Sequence, residues 1–302
     1  MADSMIELSQ CPVCVSPRIS HWFDGFTNRD PSDGVTWPVF RCAACGHGFM
    51  NPQPCAAILD RYYTAKYTAY NPHHGADADD ARAIADARQS GEFRHAPISS
   101  GKRVLDLGCG GGYFLSICRQ LGAEVFGIEP SAYGYDITAQ QNIPVFHGDL
   151  AAYLASHGGT RFDVITANHV LEHIPDPVRA LAGLKTLLAP GGTIVITVPN
   201  ARSRFAEQLR TVWYNTDLPF HLHQFSAQSL TKAAELAGLA VNEMSTTSLP
   251  HATAASFSQL MRCKYYIPGK LTHRLLSVSR AVAMAKKDDA RGQGEALLAR
   301  FG

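Results

Sequence analysis

Between Asp106 and Gly112 the chain reads DLGCGGG, an acid followed by glycines at alternate positions, Gly108, Gly110 and Gly112, with Cys109 among them. Glycines so spaced let the backbone turn sharply, take positive φ and approach a ligand closely. The apolar Val104, Leu105 and Leu107 precede the turn and YFLSICRQLG follows it, so it joins a strand to a helix. That is the carboxyl edge of a sheet, where open α/β folds bind ligands. Glu129, followed by Pro130 in GIEPS, falls in the interval for an acid that accepts both hydroxyls of a ribose. Asp149, with Leu150 in HGDL, can accept a hydrogen bond from an exocyclic amine. Acids at these places argue against a phosphate ligand. A phosphate loop would also need Lys followed by Ser or Thr after its last glycine, where Tyr113 and Phe114 stand. A nicotinamide dinucleotide is the competing ligand for the same turn.

Four imidazoles lie downstream, His169, His173, His221 and His223. Histidine suits proton removal because its ordinary pKa lies near about 6.5. His173, in VLEHIPDP, reads equally well as a packing residue. His221 and His223, in PFHLHQFS, are the preferred base candidates, with surface histidines before a capped helix as the alternative.

Cys11, Cys14, Cys42 and Cys45 form two C-x2-C pairs separated by 27 residues. Each pair can place two thiolates on one tetrahedral metal, and Gly46 suits the tight knuckle such a pair needs. Four thiolates leave no open position, so the expected zinc is structural. Cys55, Cys109, Cys118 and Cys263 have no partners at metal spacing and read as core or loop residues.

The elements that must hold these groups alternate. Strands at KRVLDLG, AEVFGIE, PVFHGD, RFDVITAN and TIVITVPN are separated by helices, one of them capped by Asp176 with Pro177 at its first position and ending near Leu188. Ser226 caps a further helix that ends at Gly238. Alternation of this kind implies a parallel sheet covered on both faces. The organisation expected is a zinc-binding module over 1–55, a helical connector or lid over 56–97, and one large domain over 98–302. Leu271, Leu275, Val278 and Val282 fall on one stripe of a tail helix docked on that domain.

Lys and Arg total 27 against 26 Asp and Glu in 302 residues, without the positive field that holds a nucleic acid backbone. There is no basic leader and no apolar run of roughly 18 residues, so a cytoplasmic protein with reduced cysteines is expected.

From Val104 to Asn200 the chain resembles the class I S-adenosylmethionine-dependent methyltransferases, in the order of VLDLGCGGGYFL, GIEPS, HGDL, ANHVLEHIPDP and LLAPGGTIVITVPN as well as in their content. The resemblance implies a doubly wound, mostly parallel seven-stranded sheet, with EALLARF as its last, antiparallel strand. The glycine turn would hold the methionine part of the cofactor, Asp106 its ammonium, Glu129 the ribose, and Asp149 with Leu150 the adenine. Asn168 and His169 would line the channel to the acceptor. CxxCG-H-GF-MNPQP followed by a Tyr-rich stretch resembles bacterial methyltransferases of sugars and natural products, whose N-terminal module covers the acceptor. By that likeness Tyr63, Tyr67 and Tyr70 reach cofactor or substrate, although their helical spacing also describes one packed face. Some quinone-precursor O-methyltransferases resemble VLEHIPDP and use metal, which makes Glu172 with His173 a candidate cation site.

The expected activity is transfer of methyl from S-adenosylmethionine to a small polar acceptor, a sugar or secondary metabolite, at oxygen or nitrogen in preference to carbon, by a monomer or homodimer. Methylation of RNA or protein recruited by the ribbon is the alternative. The ribbon's only full cations, Arg18, Arg29 and Arg41, are outnumbered by its acids and speak against it. A scaffold that keeps the fold without turnover is the third reading.

Overall fold

Val104 and Leu105 are neighbours in sequence and both fully buried, as are Val164 with Ile165 and Val195 with Ile196. Successive side chains of a strand point to opposite faces, so consecutive apolar residues demand cover on both sides. The computed structural model, which describes residues 5–26, 34–59, 62, 77–267 and 276–302, supplies that cover. Val104, Val164 and Val195 join one apolar layer with Phe114, Leu115 and Leu298, while Leu105, Ile165 and Ile196 join the other.

The N-terminal strands are β1 (Ile19–Phe26), β2 (Thr36–Cys42) and β3 (Gly48–Met50). The main sheet is built from β4 (Arg103–Leu107), β5 (Glu124–Glu129), β6 (Val145–His147), β7 (Phe162–Asn168) and β8 (Leu188–Pro199). A short strand β9 (His223–Gln224) precedes the last two strands of that sheet, β10 (Val241–Thr247) and β11 (Ala296–Phe301). The order is β6-β5-β4-β7-β8-β11-β10. The first five are parallel, and β11 runs antiparallel between β8 and β10. This is the doubly wound, mostly parallel seven-stranded sheet that the motif order implies.

Helices α1 (Tyr113–Gln120), α2 (Ala132–Gln140), α3 (Leu150–His157), α4 (Pro177–Leu187) and α5 (Ala227–Leu236) connect the strands, followed by α6 (Pro250–Tyr265) and α7 (Val278–Asp289). Five of the seven start on a side-chain cap, Ser131, Asp149, Asp176, Ser226 and Ser277. Asp176 accepts from the Arg179 amide at 2.9 Å with Pro177 at the first turn, and Ser226 and Ser229 form a reciprocal capping box. β8 is longer than the TIVITVPN expected from the sequence and begins at Leu188. The pairing with β7 jumps from Phe162–Leu188 to Val164–Thr193, so Ala189–Gly192 bulges within one long strand.

The tail helix differs from the expected stripe. Ser277 caps it, Val278 is 80% exposed, and the buried face is Ala281, Ala285 and Asp288. Alanine permits close approach of this helix, and Asp288 is held by two hydrogen bonds to Arg204 Nε and one to its Nη2. Leu271 and Leu275 lie outside the described residues, as do Tyr63, Tyr67 and Tyr70.

The N-terminal strands do not close on themselves. β1, β2 and β3 form an antiparallel sheet whose outer neighbour is β9, with His223 opposite Phe49. On the cysteine side, Cys11, Val13, Cys42, Cys45 and Phe49 share an apolar cluster with Leu230, Ala233 and Ala234 of α5. Among the described residues, no helix is long and apolar enough to cross a membrane.

Candidate functional site

The glycine turn leaves β4 at its carboxyl end and enters α1, with Gly108, Gly110 and Gly112 all at positive φ, 67°, 53° and 76°. A Cβ on Gly108 would stand 2.6 Å from Val170 Cγ2, so this backbone can lie where it does only without a side chain. Glu129, at the end of β5, accepts from the Gly110 amide through Oε2 at 2.8 Å and from the Ser131 amide through Oε1 at 2.9 Å. It is 3% exposed, and burial pushes its pKa up against these bonds. From α2, Thr138 Oγ1 donates to Gly110 O at 2.7 Å, and Gln141, just after it, donates to Gly111 O at 2.6 Å. Thr138 and Gln141, which the sequence reading did not single out, brace the turn from the helix that follows β5. Their only sequence signal is that α2 starts directly after Glu129.

Asp106 is buried and accepts from Thr166 Oγ1 at 2.6 Å. Burial pushes its pKa up to about 7, against the pull of the Thr166 bond and the Arg94 charge. Arg94 is a third residue the sequence did not single out. It stands at φ 47° before β4, with its guanidinium 5.2 Å from the Tyr113 ring. Cys109 is buried, its sulfur 2.6 Å from where a Cβ on Gly127 would be, and burial pushes its thiol up. Pro130 is exposed beside Glu129, and Asp149 is exposed and caps α3 through the Ala152 amide at 2.8 Å, with Leu150 packed below.

Across the same edge, β7 ends at Asn168, whose Nδ2 is buried with no hydrogen-bond partner. His169 takes φ 54° and stays half exposed, its Nδ1 3.4 Å from Glu172 Oε1. Glu172 is fully buried in the short turn Leu171–His173, and neither of its carboxylate oxygens has a well-formed hydrogen bond. Burial alone would raise its pKa. The His169 contact and the charges of His173, His221 and His169 outweigh burial and hold it down to about 2. His173 donates through Nδ1–H to Phe220 O at 2.9 Å, and His221 through Nδ1–H to Asn215 O at 2.8 Å. Their rings meet edge to face at 4.7 Å. The His221 Nε2 faces Glu172 Oε1 and Asp217 Oδ2, each at 3.9 Å. Burial first, then the His221 charge, lowers the His173 pKa to about 4.

One ligand atom from each of Glu172, His173 and His221 lies within 4.8 Å of the others. With both Nδ1–H groups given to backbone carbonyls, this is the orientation in which imidazoles present Nε2 to a cation or a proton. His223 is placed elsewhere. It is 2% exposed, with Nε2 on Ile174 O at 2.9 Å and Nδ1 on His47 Nε2 at 3.1 Å, and burial lowers its pKa to about 4. Both of its nitrogens are thus engaged inside the protein.

The four predicted thiols converge. Cys11 and Cys45 sulfurs are 3.6 Å apart, as are those of Cys14 and Cys42, and all four lie within 4.8 Å. A tetrahedral zinc with bonds of about 2.3 Å would set its sulfurs about 3.8 Å apart, so the cluster fits that ion. Burial pushes the Cys42 thiol up, but the Cys45 and Ala44 amides aimed at its sulfur bring it to about 7. Gly46, at φ 72°, closes the second knuckle as its position implied.

A family model described as a methyltransferase domain matches residues 77–243, more than half of the chain. A ubiquinone biosynthesis O-methyltransferase of Paraburkholderia phymatum is 33% identical over 153 residues, covering 48% of this chain and 65% of the relative. One from Psychrobacter arcticus is 37% identical over 109 residues, 33% of this chain and 42% of the relative. The chain therefore spans less than two thirds of the length of these relatives. An S-adenosylmethionine-dependent methyltransferase structure from Archaeoglobus fulgidus superposes with a TM-score of 0.49 at 18% identity, covering 74% of this chain and 93% of the other.

Proposed function

Because the chain belongs to the methyltransferase-domain family, we propose that it transfers a methyl group from S-adenosylmethionine to a small polar acceptor, with a histidine as general base. Oxygen is the favoured acceptor atom, in keeping with the O-methyltransferase names of its relatives. A sugar or secondary metabolite is the favoured acceptor class. The cofactor supplies a methyl already activated by a sulfonium, so alignment and removal of the acceptor's proton are what remain for the protein.

The observation that carries this reading is the division of one sheet edge. Glu129 and the glycine turn stand at the ends of β5 and β4, and the Glu172–histidine cluster stands just beyond β7. Glu129 serves the ribose, Asp106 the ammonium, Arg94 the carboxylate, Asp149 with Leu150 the adenine, and Asn168 with His169 the passage between the two ligands. His221 takes the acceptor proton. Its Nδ1–H is anchored on Asn215 O, and Glu172 and Asp217 stabilise the imidazolium that forms. His223 has no nitrogen to offer and serves position. The four cysteines hold a structural zinc.

The buried carboxylate of Glu172 supports a second reading, in which a divalent cation rests on Glu172, His173 and His221 and lowers the pKa of the acceptor hydroxyl. Metal analysis separates the two readings. One zinc per chain supports the base, and a further equivalent lost in Glu172→Gln supports the cation. The reading as a whole is tested by calorimetric titration with S-adenosylmethionine, S-adenosylhomocysteine and NAD. Micromolar binding of the two adenosyl ligands and none of NAD is expected, and folded protein that binds neither adenosyl ligand would overturn it.

A further inference from the structure

His47 and His223 are 176 positions apart in sequence and joined by a hydrogen bond of 3.1 Å in a buried apolar layer. His47 is fully buried, follows the second cysteine knuckle, and lies 4.9 Å from the Phe225 ring and 6.0 Å from that of Phe49. Its own carbonyl accepts from the Cys42 amide at 2.9 Å, so its backbone is part of the knuckle. The other end of the pair reaches the acceptor side, where His223 Nε2 bonds Ile174 O at 2.9 Å, one residue beyond the Leu171–His173 turn.

The proton positions follow from the acceptors. A carbonyl can only accept, so His223 carries its proton on Nε2 and presents a lone pair at Nδ1. His47 must then donate through Nε2–H. A directed line runs from the cysteine module to the backbone of the turn that bears Glu172 and His173. It is reinforced alongside by Met50 N on Leu222 O at 2.9 Å and by His173 Nδ1–H on Phe220 O at 2.9 Å. Residues 220–225 are thus held by the module on one side and by the acceptor-side turn on the other.

We propose that the buried imidazole pair His47–His223 is a positioning strut through which the four-cysteine module sets the place of the Glu172–His173 turn. The pair touches no reacting atom. Its work is to transmit the geometry of the module to a turn too short to hold itself, since Leu171–His173 is three residues of 3-10 helix. The inference rests on the reading of that turn as the acceptor side, but its test does not require an acceptor.

Hydrogen exchange on the full-length zinc-loaded chain reads the strut directly. The His173 and Ile174 amides are bonded within the turn, to Val170 O and Leu171 O, and those of Gly108 and Gly112 serve as a reference in the glycine turn. His47→Leu should speed exchange of the first pair at least tenfold and leave the second unchanged. His47→Gln, which keeps a donor at the same reach, should restore protection. Val39→Ala, which removes buried volume from the same sheet and leaves both imidazoles in place, should leave the turn protected. Unchanged exchange in His47→Leu, or an equal rise at Gly108 and Gly112, would overturn the strut.

Nitrogen-15 spectra of the imidazoles test the wild type independently of how any variant folds. They must show His223 as the Nε2–H form with Nδ1 accepting, and the opposite tautomer refutes the line. Titration with S-adenosylmethionine on the same samples keeps the two proposals apart, because failure to bind defeats methyl transfer and leaves the exchange result standing.

Discussion

At the ends of β4 and β5 the polar groups of the cofactor side find partners close by: Glu129 takes the Gly110 and Ser131 amides, Thr138 and Gln141 take the Gly110 and Gly111 carbonyls, and Asp106 takes Thr166. At the end of β7 and just beyond it, Asn168 Nδ2 and both oxygens of Glu172 are buried without such partners, and of the imidazoles around Glu172 two are local, His169 and His173, while His221 comes from a segment some fifty residues downstream. An unsatisfied buried polar group costs about 1–3 kcal/mol, more if charged, so the second arrangement persists only where surrounding structure imposes it or a ligand completes it. The proposed cofactor side is braced by hydrogen bonds within the protein itself. The proposed acceptor side leaves Asn168 Nδ2 and the Glu172 oxygens without hydrogen-bond partners.

The sharpest way to break this contrast is Glu129→Ala. It removes two charge-assisted bonds of roughly 2 kcal/mol each together with the proposed ribose acceptor, so adenosyl affinity should fall about a thousandfold by calorimetry. Glu172→Gln should leave that affinity within about twofold, a difference of less than 1 kcal/mol.

The two buried acids should also respond to pH with opposite sign. Asp106 is raised to about 7, so its contribution to apo stability is full below its unfolded pKa of about 4 and is lost as pH rises through 7. Glu172 is lowered to about 2, so its contribution is full above about 4.5 and is lost as pH falls through 2. The effect is on the order of 4 kcal/mol for Asp106 and 3 kcal/mol for Glu172. In denaturant midpoints measured against pH, Asp106→Asn should gain on the wild type at pH 8, and Glu172→Gln should lose most above pH 5.

Gly108→Ala strikes the contact between the two sides. Its positive φ and the 2.6 Å approach to Val170 should cost about 2 kcal/mol in urea unfolding, partly recovered by Val170→Ala. Smallest is Thr138→Val, which deletes one brace under Gly110 and should cost about 1 kcal/mol.

Most of the fold was legible, since the central strands show as apolar runs and most helix starts as capping residues, as at Asp176–Pro177 and Ser226. The turn at Gly108–Gly112 and the two cysteine pairs were legible for the same reason, because their function depends on spacing within one short segment. The tail helix was misplaced because Leu, Val and Ala satisfy a helical stripe equally well, and only packing selects alanine for a close approach. Among the histidines, sequence preferred His221 and His223 but gave no way to choose between them, whereas in the structure both nitrogens of His223 are engaged inside the protein.

By itself the sequence determined the sheet order's raw material, the glycine turn, its paired acids and the four-thiolate set, all of which follow from local backbone preference and short-range ligand spacing. Only the tertiary structure decided that Glu172 is buried among His169, His173 and His221, and that His223 turns away to meet His47. The protonation and partners of an imidazole depend on which carbonyls and charges lie within a few ångströms of its nitrogens. Here they are delivered by segments as far apart as residues 47 and 223, whose meeting no local pattern encodes.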